Sequence, residues 1–196
     1  MQSEELALCL GDLYPVKLDR VNAEAADYVI SRGKDSGKEY GAIIFSSGRI
    51  VRVGGAFENK LLIPRYPDEP DASITVHHNH PFGDSLSRDD LAILLSRTEL
   101  GQVYAHGHQG GVSVAQKSGV TLTDTAAIIT VMDNYSRAHR LIIRAIDDGI
   151  IDEGTAGAGF WQVVMGLLLD TEGLINYSYN SDGVIKLAKK VIENGF

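Results

Sequence analysis

The stretch Ser73-Ile-Thr-Val-His-His-Asn-His-Pro-Phe-Gly-Asp-Ser-Leu-Ser-Arg-Asp-Asp-Leu-Ala-Ile-Leu-Leu95 decides the fold. Its first half, Ser73 to His78, is β-branched and apolar, and reads as a strand. The strand runs into a turn spanning Asn79 to Leu86. Ser87 is a good helix N-cap, and Asp89 and Asp90 sit in the first helical turn, where negative charge is favoured. Leu91, Ile93, Leu94 and Leu95 carry the helix on. Residues two apart on a strand point the same way. His78 and His80 therefore present two imidazoles to one point, and Asp90 can return a carboxylate to it from the helix.

Working outward, Glu39 to Phe45 reads as a mostly apolar strand. Ser46-Ser47-Gly48 is a turn, Arg49 to Val53 a returning strand, and Leu61 to Ile63 a brief third one. Prolines among charged residues at 64–72 read as a surface loop. Upstream, helices are expected over Ser3 to Leu13 and Asn22 to Arg32, the second capped by Asn22 and ended by Gly33. Downstream, Gly101 to His106 and Gly111 to Ala115 form a hairpin. Helices follow over Leu122 to about Asp148, Gly159 to Leu169 and Asp182 to Glu193. Mixed elements without βαβ alternation predict an α+β fold, an α/β/α-like sandwich around a mixed sheet, with a helical C-terminal extension. The expected division is a metal-binding unit over 1–120 and a helical region over 121–196, packing on that unit or on a partner.

Composition narrows the function. The 196 residues carry a formal net charge of −8, which disfavours broad nucleic-acid binding. Arg137, Arg140 and Arg144 look like the solvated side of a helix. The single cysteine, Cys9, excludes a disulfide framework and a Cys-rich zinc site, and reads as a small core residue. The acidic N-terminus has no signal-peptide pattern and no apolar run is long enough to span a bilayer. A cytoplasmic, membrane-free protein is expected.

Two imidazole nitrogens and one carboxylate oxygen leave a fourth tetrahedral position for water, the mark of a catalytic rather than a structural Zn2+ site. The water needs a base, and Glu39, opening an apolar strand at a sheet end, is the candidate. Asp89 stands as a substitute ligand for Asp90. His77 points opposite to its neighbours and reads as a structural or supporting residue. His106 and His108 form another His-x-His, but no spaced carboxylate follows, so a glycine-rich hairpin tip is the better reading.

Taken together, Glu39, then His78-x-His80-Pro81, then Ser87-x-x-Asp90 resemble the signature of the JAMM/MPN+ (JAB) metalloproteases. The wording His-Asn-His-Pro-x-Gly-Asp is similar to bacterial relatives, including RadC-like proteins, and to JAMM-like domains of phage and mobile-element proteins. The resemblance covers about residues 20–120. Six residues separate His80 from Ser87, one fewer than the commonest form of the signature. The resemblance implies a zinc-dependent hydrolase cleaving a peptide or isopeptide bond, often beside a ubiquitin-like modifier. It implies that Glu39 relays the water's proton to the leaving amine and that the Ser87 hydroxyl helps hold the oxyanion. The competing expectation is a non-peptidase interaction module that keeps the zinc site, RadC-like or with a role in phage assembly. A homo-oligomer through the C-terminal helices is also consistent with the pattern. The letters His-Asn-His occur in HNH nucleases too, but there they are spread over a ββα unit rather than consecutive.

Overall fold

The computed structural model describes residues 18–81 and 85–195. The expected helix at Ser3 to Leu13, with Cys9, lies outside the described residues. Helix α1 (Arg20–Ser36) leads into β1 (Tyr40–Phe45), β2 (Ile50–Gly54) and β3 (Ile74–His80). Helix α2 (Arg88–Ser96) then connects to β4 (Leu100–Gly107) and β5 (Val112–Lys117). The chain continues as α3 (Asp124–Asp147), a short α4 (Glu153–Thr155) with a π-helical segment (Ala156–Phe160), α5 (Trp161–Thr171), β6 (Ile175–Tyr179) and α6 (Asp182–Glu193).

The six strands form one mixed sheet in the order β2-β1-β3-β4-β5-β6. Only β3 and β4 are parallel, and α2 makes the crossover that a parallel pair needs. Strand alternation divides the core between the two faces. Ala42 and Ile44 turn to α1, where they pack with Ala25 and Val29. Ile43, Phe45, Ile74 and Val76 turn the other way, into the larger core under α2, α3 and α5. The fold is thus mixed α+β with helices on both faces of the sheet.

Several boundaries differ from the sequence reading. Helix α1 starts two residues before Asn22 because Asp19 is the N-cap, its side chain accepting from the Asn22 amide. It does not stop at Gly33 but runs to Ser36, where Gly37 takes the left-handed C-cap conformation (φ 69°). Leu61 to Ile63 forms no strand; the Ile63 carbonyl instead accepts from the Arg97 guanidinium at 2.8 Å. Region 121–196, read as helical, also supplies β6, which pairs antiparallel with β5. The signal was present in Ile175-Asn-Tyr-Ser-Tyr179, whose apolar Ile175 and Tyr177 alternate with polar residues between two turns. Ile175 and Tyr177 are buried, whereas Asn176 is exposed. The apolar side of α3 packs on α2 and α5. No helix among the described residues is long and apolar enough to cross a membrane.

Candidate metal centre

The end of β3 and the first turn of α2 carry the site. Ser87 and Asp90 form a reciprocal capping box: the Ser87 hydroxyl accepts from the Asp90 amide, and the Asp90 carboxylate accepts from the Ser87 amide at 2.7 Å. The Ser87 hydroxyl also donates to the same carboxylate oxygen, Oδ2, at 2.7 Å. The cap thereby does two things. It starts the helix, and it locks the Asp90 side chain toward the sheet.

His78, His80 and Asp90 converge there. The two Nε2 atoms are 2.9 Å apart. Asp90 Oδ1 lies 3.2 Å from His78 Nε2, and Oδ2 lies 3.4 Å from His80 Nε2. Tetrahedral ligands about 2.0–2.1 Å from a metal stand about 3.3 Å from one another, so these separations suit one ion bound by all three. The donor chemistry fits as well, since two imidazoles and a carboxylate are ligands that zinc accepts. This trio is the one group of metal-capable side chains among the described residues, and it could hold a metal ion. Asp89 is exposed and outside the trio, so Asp90 is the carboxylate the fold delivers.

Neighbouring groups hold the histidines in place. The Ser85 backbone accepts from the His80 ring, and Ser85 is fixed by a 2.7 Å hydrogen bond between its hydroxyl and Tyr177 of β6. The next residue, Leu86, donates its amide to Ser113 Oγ of β5 at 2.9 Å. The C-terminal strand therefore supports the loop that enters α2. His78 Nδ1 is buried without a hydrogen-bond partner, so for this ring the strand and the packing around it set the orientation.

In the metal-free protein the charges of the trio reinforce one another. Burial alone would raise the Asp90 carboxyl, but the His78 and His80 imidazoles beside it hold it well below the usual carboxylate range. Burial works against a charged His80, yet Asp90, by hydrogen bond and charge, and Glu39 beyond it raise its pKa above the ordinary value. Asp90 and His80 thus each favour the charged form of the other.

Glu39 lies beside the trio. Gly41 pairs with His78, so two residues earlier Glu39 falls level with His80 on the same face of the sheet. It is 8% exposed and shares with His80, Ser87 and Asp90 the lining of a groove of about 560 Å³. Leu61, Leu62 and Ile128 give that groove apolar walls. Burial pushes the Glu39 carboxyl up, and the His80 and His78 charges only partly oppose this. A raised carboxylate pKa brings a base closer to neutral pH, where proton transfer is most effective.

The other histidines lie elsewhere. His77 points away from the trio, as its alternation requires. Its Nε2 meets Asn22 Oδ1 at 2.9 Å and its Nδ1 meets His106 Nε2 at 3.0 Å. An amide oxygen only accepts, so His77 carries its proton on Nε2 and His106 donates to Nδ1. Its ring stacks on Tyr104 with centroids 4.3 Å apart. His108 Nε2 lies against the Asn79 amide at 2.9 Å. His106, buried within β4 rather than at a hairpin tip, thus pairs with His77, and the partly buried His108 pairs with Asn79. Sequence reading missed the part Asn79 plays there, although the residue stands between His78 and His80. No protein-family model, curated protein or solved structure matches the chain.

Proposed function

We propose that the chain is a zinc-dependent hydrolase of the JAMM/MPN+ type, cleaving a peptide or isopeptide bond. The observation that carries this reading is the convergence of His78, His80 and Asp90 beside a groove that His80, Asp90 and Glu39 line. A zinc ion held by the trio would supply Lewis acidity to a water and to an acyl carbonyl. The chain's own residues account for the rest. Glu39, buried where it lines the groove, takes a proton from the attacking water and passes it to the leaving amine. Ser87 lines the same groove. Its hydroxyl can turn from Asp90 Oδ2 toward a substrate oxygen while its backbone amide keeps hold of the carboxylate. The apolar walls offer an extended peptide somewhere to place its side chains while leaving the polar floor open.

The test is zinc-loaded wild type against Glu39→Gln on fluorogenic peptides and peptidyl-lysine isopeptides, with zinc content measured in both. The reading predicts cleavage by wild type and a loss of about 10²–10⁴-fold in the variant, at unchanged zinc. A zinc-loaded wild type inert on every substrate would favour an interaction module that retains the site.

A further inference from the structure

Glu39 directly precedes β1, beyond the end of the β1–β3 ladder, where the chain has least to hold it. Its backbone is nevertheless gripped from both edges. On the β2 side, its amide donates to the Phe57 carbonyl at 2.9 Å and its carbonyl accepts from the Gly55 amide at 2.7 Å. Gly54 makes this approach feasible: it sits at φ 107°, and a Cβ there would overlap the Glu39 carbonyl oxygen.

On the β3 side, the ladder begins with the pair Gly41 and His78. Beyond it the Asn79 side chain takes over. Its Oδ1 accepts from the Tyr40 amide at 2.7 Å, and its Nδ2 donates to the Lys38 carbonyl at 2.9 Å. Those two groups belong to the peptide planes on either side of the Glu39 Cα. A primary amide offers the donor and acceptor of a peptide group, so Asn79 stands in for the missing ladder pair. With both planes fixed, the two soft dihedrals of Glu39 have little freedom left.

The rest of the network gives Asn79 one orientation. Its second Nδ2 hydrogen faces His108 Nε2 at 2.9 Å. Flipping the amide would set a donor against the Tyr40 N–H and an acceptor against the Lys38 carbonyl. Asn79 is fully buried. Gly33 provides the room, because a Cβ there would overlap the Asn79 amide and lie 2.7 Å from His108 Nε2. This is why a glycine is retained inside α1 despite its cost to a helix.

We propose that Asn79 is the positioning residue for Glu39. From between the two ligand histidines, but on the opposite face of the sheet, it ties the strand that carries them to the backbone that carries the base. The inference rests on the hydrolase reading, since it gives Glu39 a task that needs fixed placement.

The test uses the full zinc-loaded chain with Asn79→Ala and, separately, Gly33→Ala. The second variant keeps every polar group and removes only space, so it stands in if the first fails to fold. Four quantities are read: zinc per chain, hydrogen exchange at the Tyr40 amide, the shift that zinc binding induces in the Glu39 carboxyl carbon by NMR, and turnover of the fluorogenic isopeptide. Both variants are expected to keep wild-type zinc. Tyr40 exchange should rise about tenfold or more, and the zinc-induced Glu39 shift should fall to about half or less. Turnover should drop about 100-fold in kcat with KM little changed, as expected for a group displaced by about 1 Å. Wild-type exchange and carboxyl shift in the variants would overturn the proposal. So would zinc loss in step with activity, which would make Asn79 a support for the ligands alone. If wild type cleaves nothing, the hydrolase reading fails, and the exchange and carboxyl shift by themselves decide the positioning role.

Discussion

Replacing His77 by Gln should make the metal-free protein less sensitive to acid, by an amount the structure sets. His77 is fully buried, and burial lowers its pKa from 6.5 to about 3, with the His78 charge adding and Asp19 opposing. Between those values the unfolded chain binds a proton that the folded chain refuses, so stability rises with pH across this window. The contribution is intact above about pH 6.5 and drains as the pH falls toward about 3. At pH 5, 1.5 units below the unfolded value, it amounts to about 2 kcal/mol. For a chain of this size that is about 4–8 °C in Tm. His106, also held low by burial and by the neighbouring imidazoles, acts in the same direction. The assay is thermal or denaturant unfolding of chelator-treated wild type and His77→Gln at pH 7 and pH 5. Wild type should lose about 2 kcal/mol more than the variant over that interval. Equal losses would refute a neutral, buried His77 within β3.

Three other outcomes follow from the same contacts. Ser87→Ala removes the α2 cap and one of the hydrogen bonds holding Asp90; chemical unfolding should show a loss of about 1–2 kcal/mol, and competition against a chromogenic chelator should show weaker zinc binding. Tyr177→Phe deletes the bond to Ser85 and loosens the carbonyl that receives the His80 ring. Zinc affinity should fall by about tenfold, although the residue lies on β6 and touches no ligand, and isothermal titration would check this. Leu94→Ala, in the fully buried face of α2, should cost about 2–5 kcal/mol in denaturant unfolding.

The site was largely legible in the sequence because its chemistry is local. A strand period of two placed His78 and His80 on one face, and cap chemistry alone placed Asp90 one turn into the helix. Elements whose identity depends on tertiary partners were harder to read. Asp19 and Asn22 are both good caps, and the preference for Asp19 comes from Asn22 being drawn to His77. Gly33 looks like a helix terminator until Asn79 is seen against it. Residues 175–179 alternate as a strand should, but so short a segment between two helices gives no local sign of β5, the strand it pairs with. Leu61 to Ile63 has strand-like residues without a strand to pair with, and its Ile63 carbonyl is taken by Arg97. The part Asn79 plays is invisible locally because all its partners, Lys38, Tyr40 and His108, are at least 29 residues away along the chain.

The central claim is that one turn of helix and one strand end share a single divalent ion. Its most direct measurement is the zinc content of dialysed wild type beside His78→Ala and Asp90→Ala, read by elemental analysis per mole of folded chain. The account predicts about one zinc in wild type and a sharp loss in both variants. A folded wild type that retains no metal when zinc is supplied, or variants that retain it equally well, would contradict it.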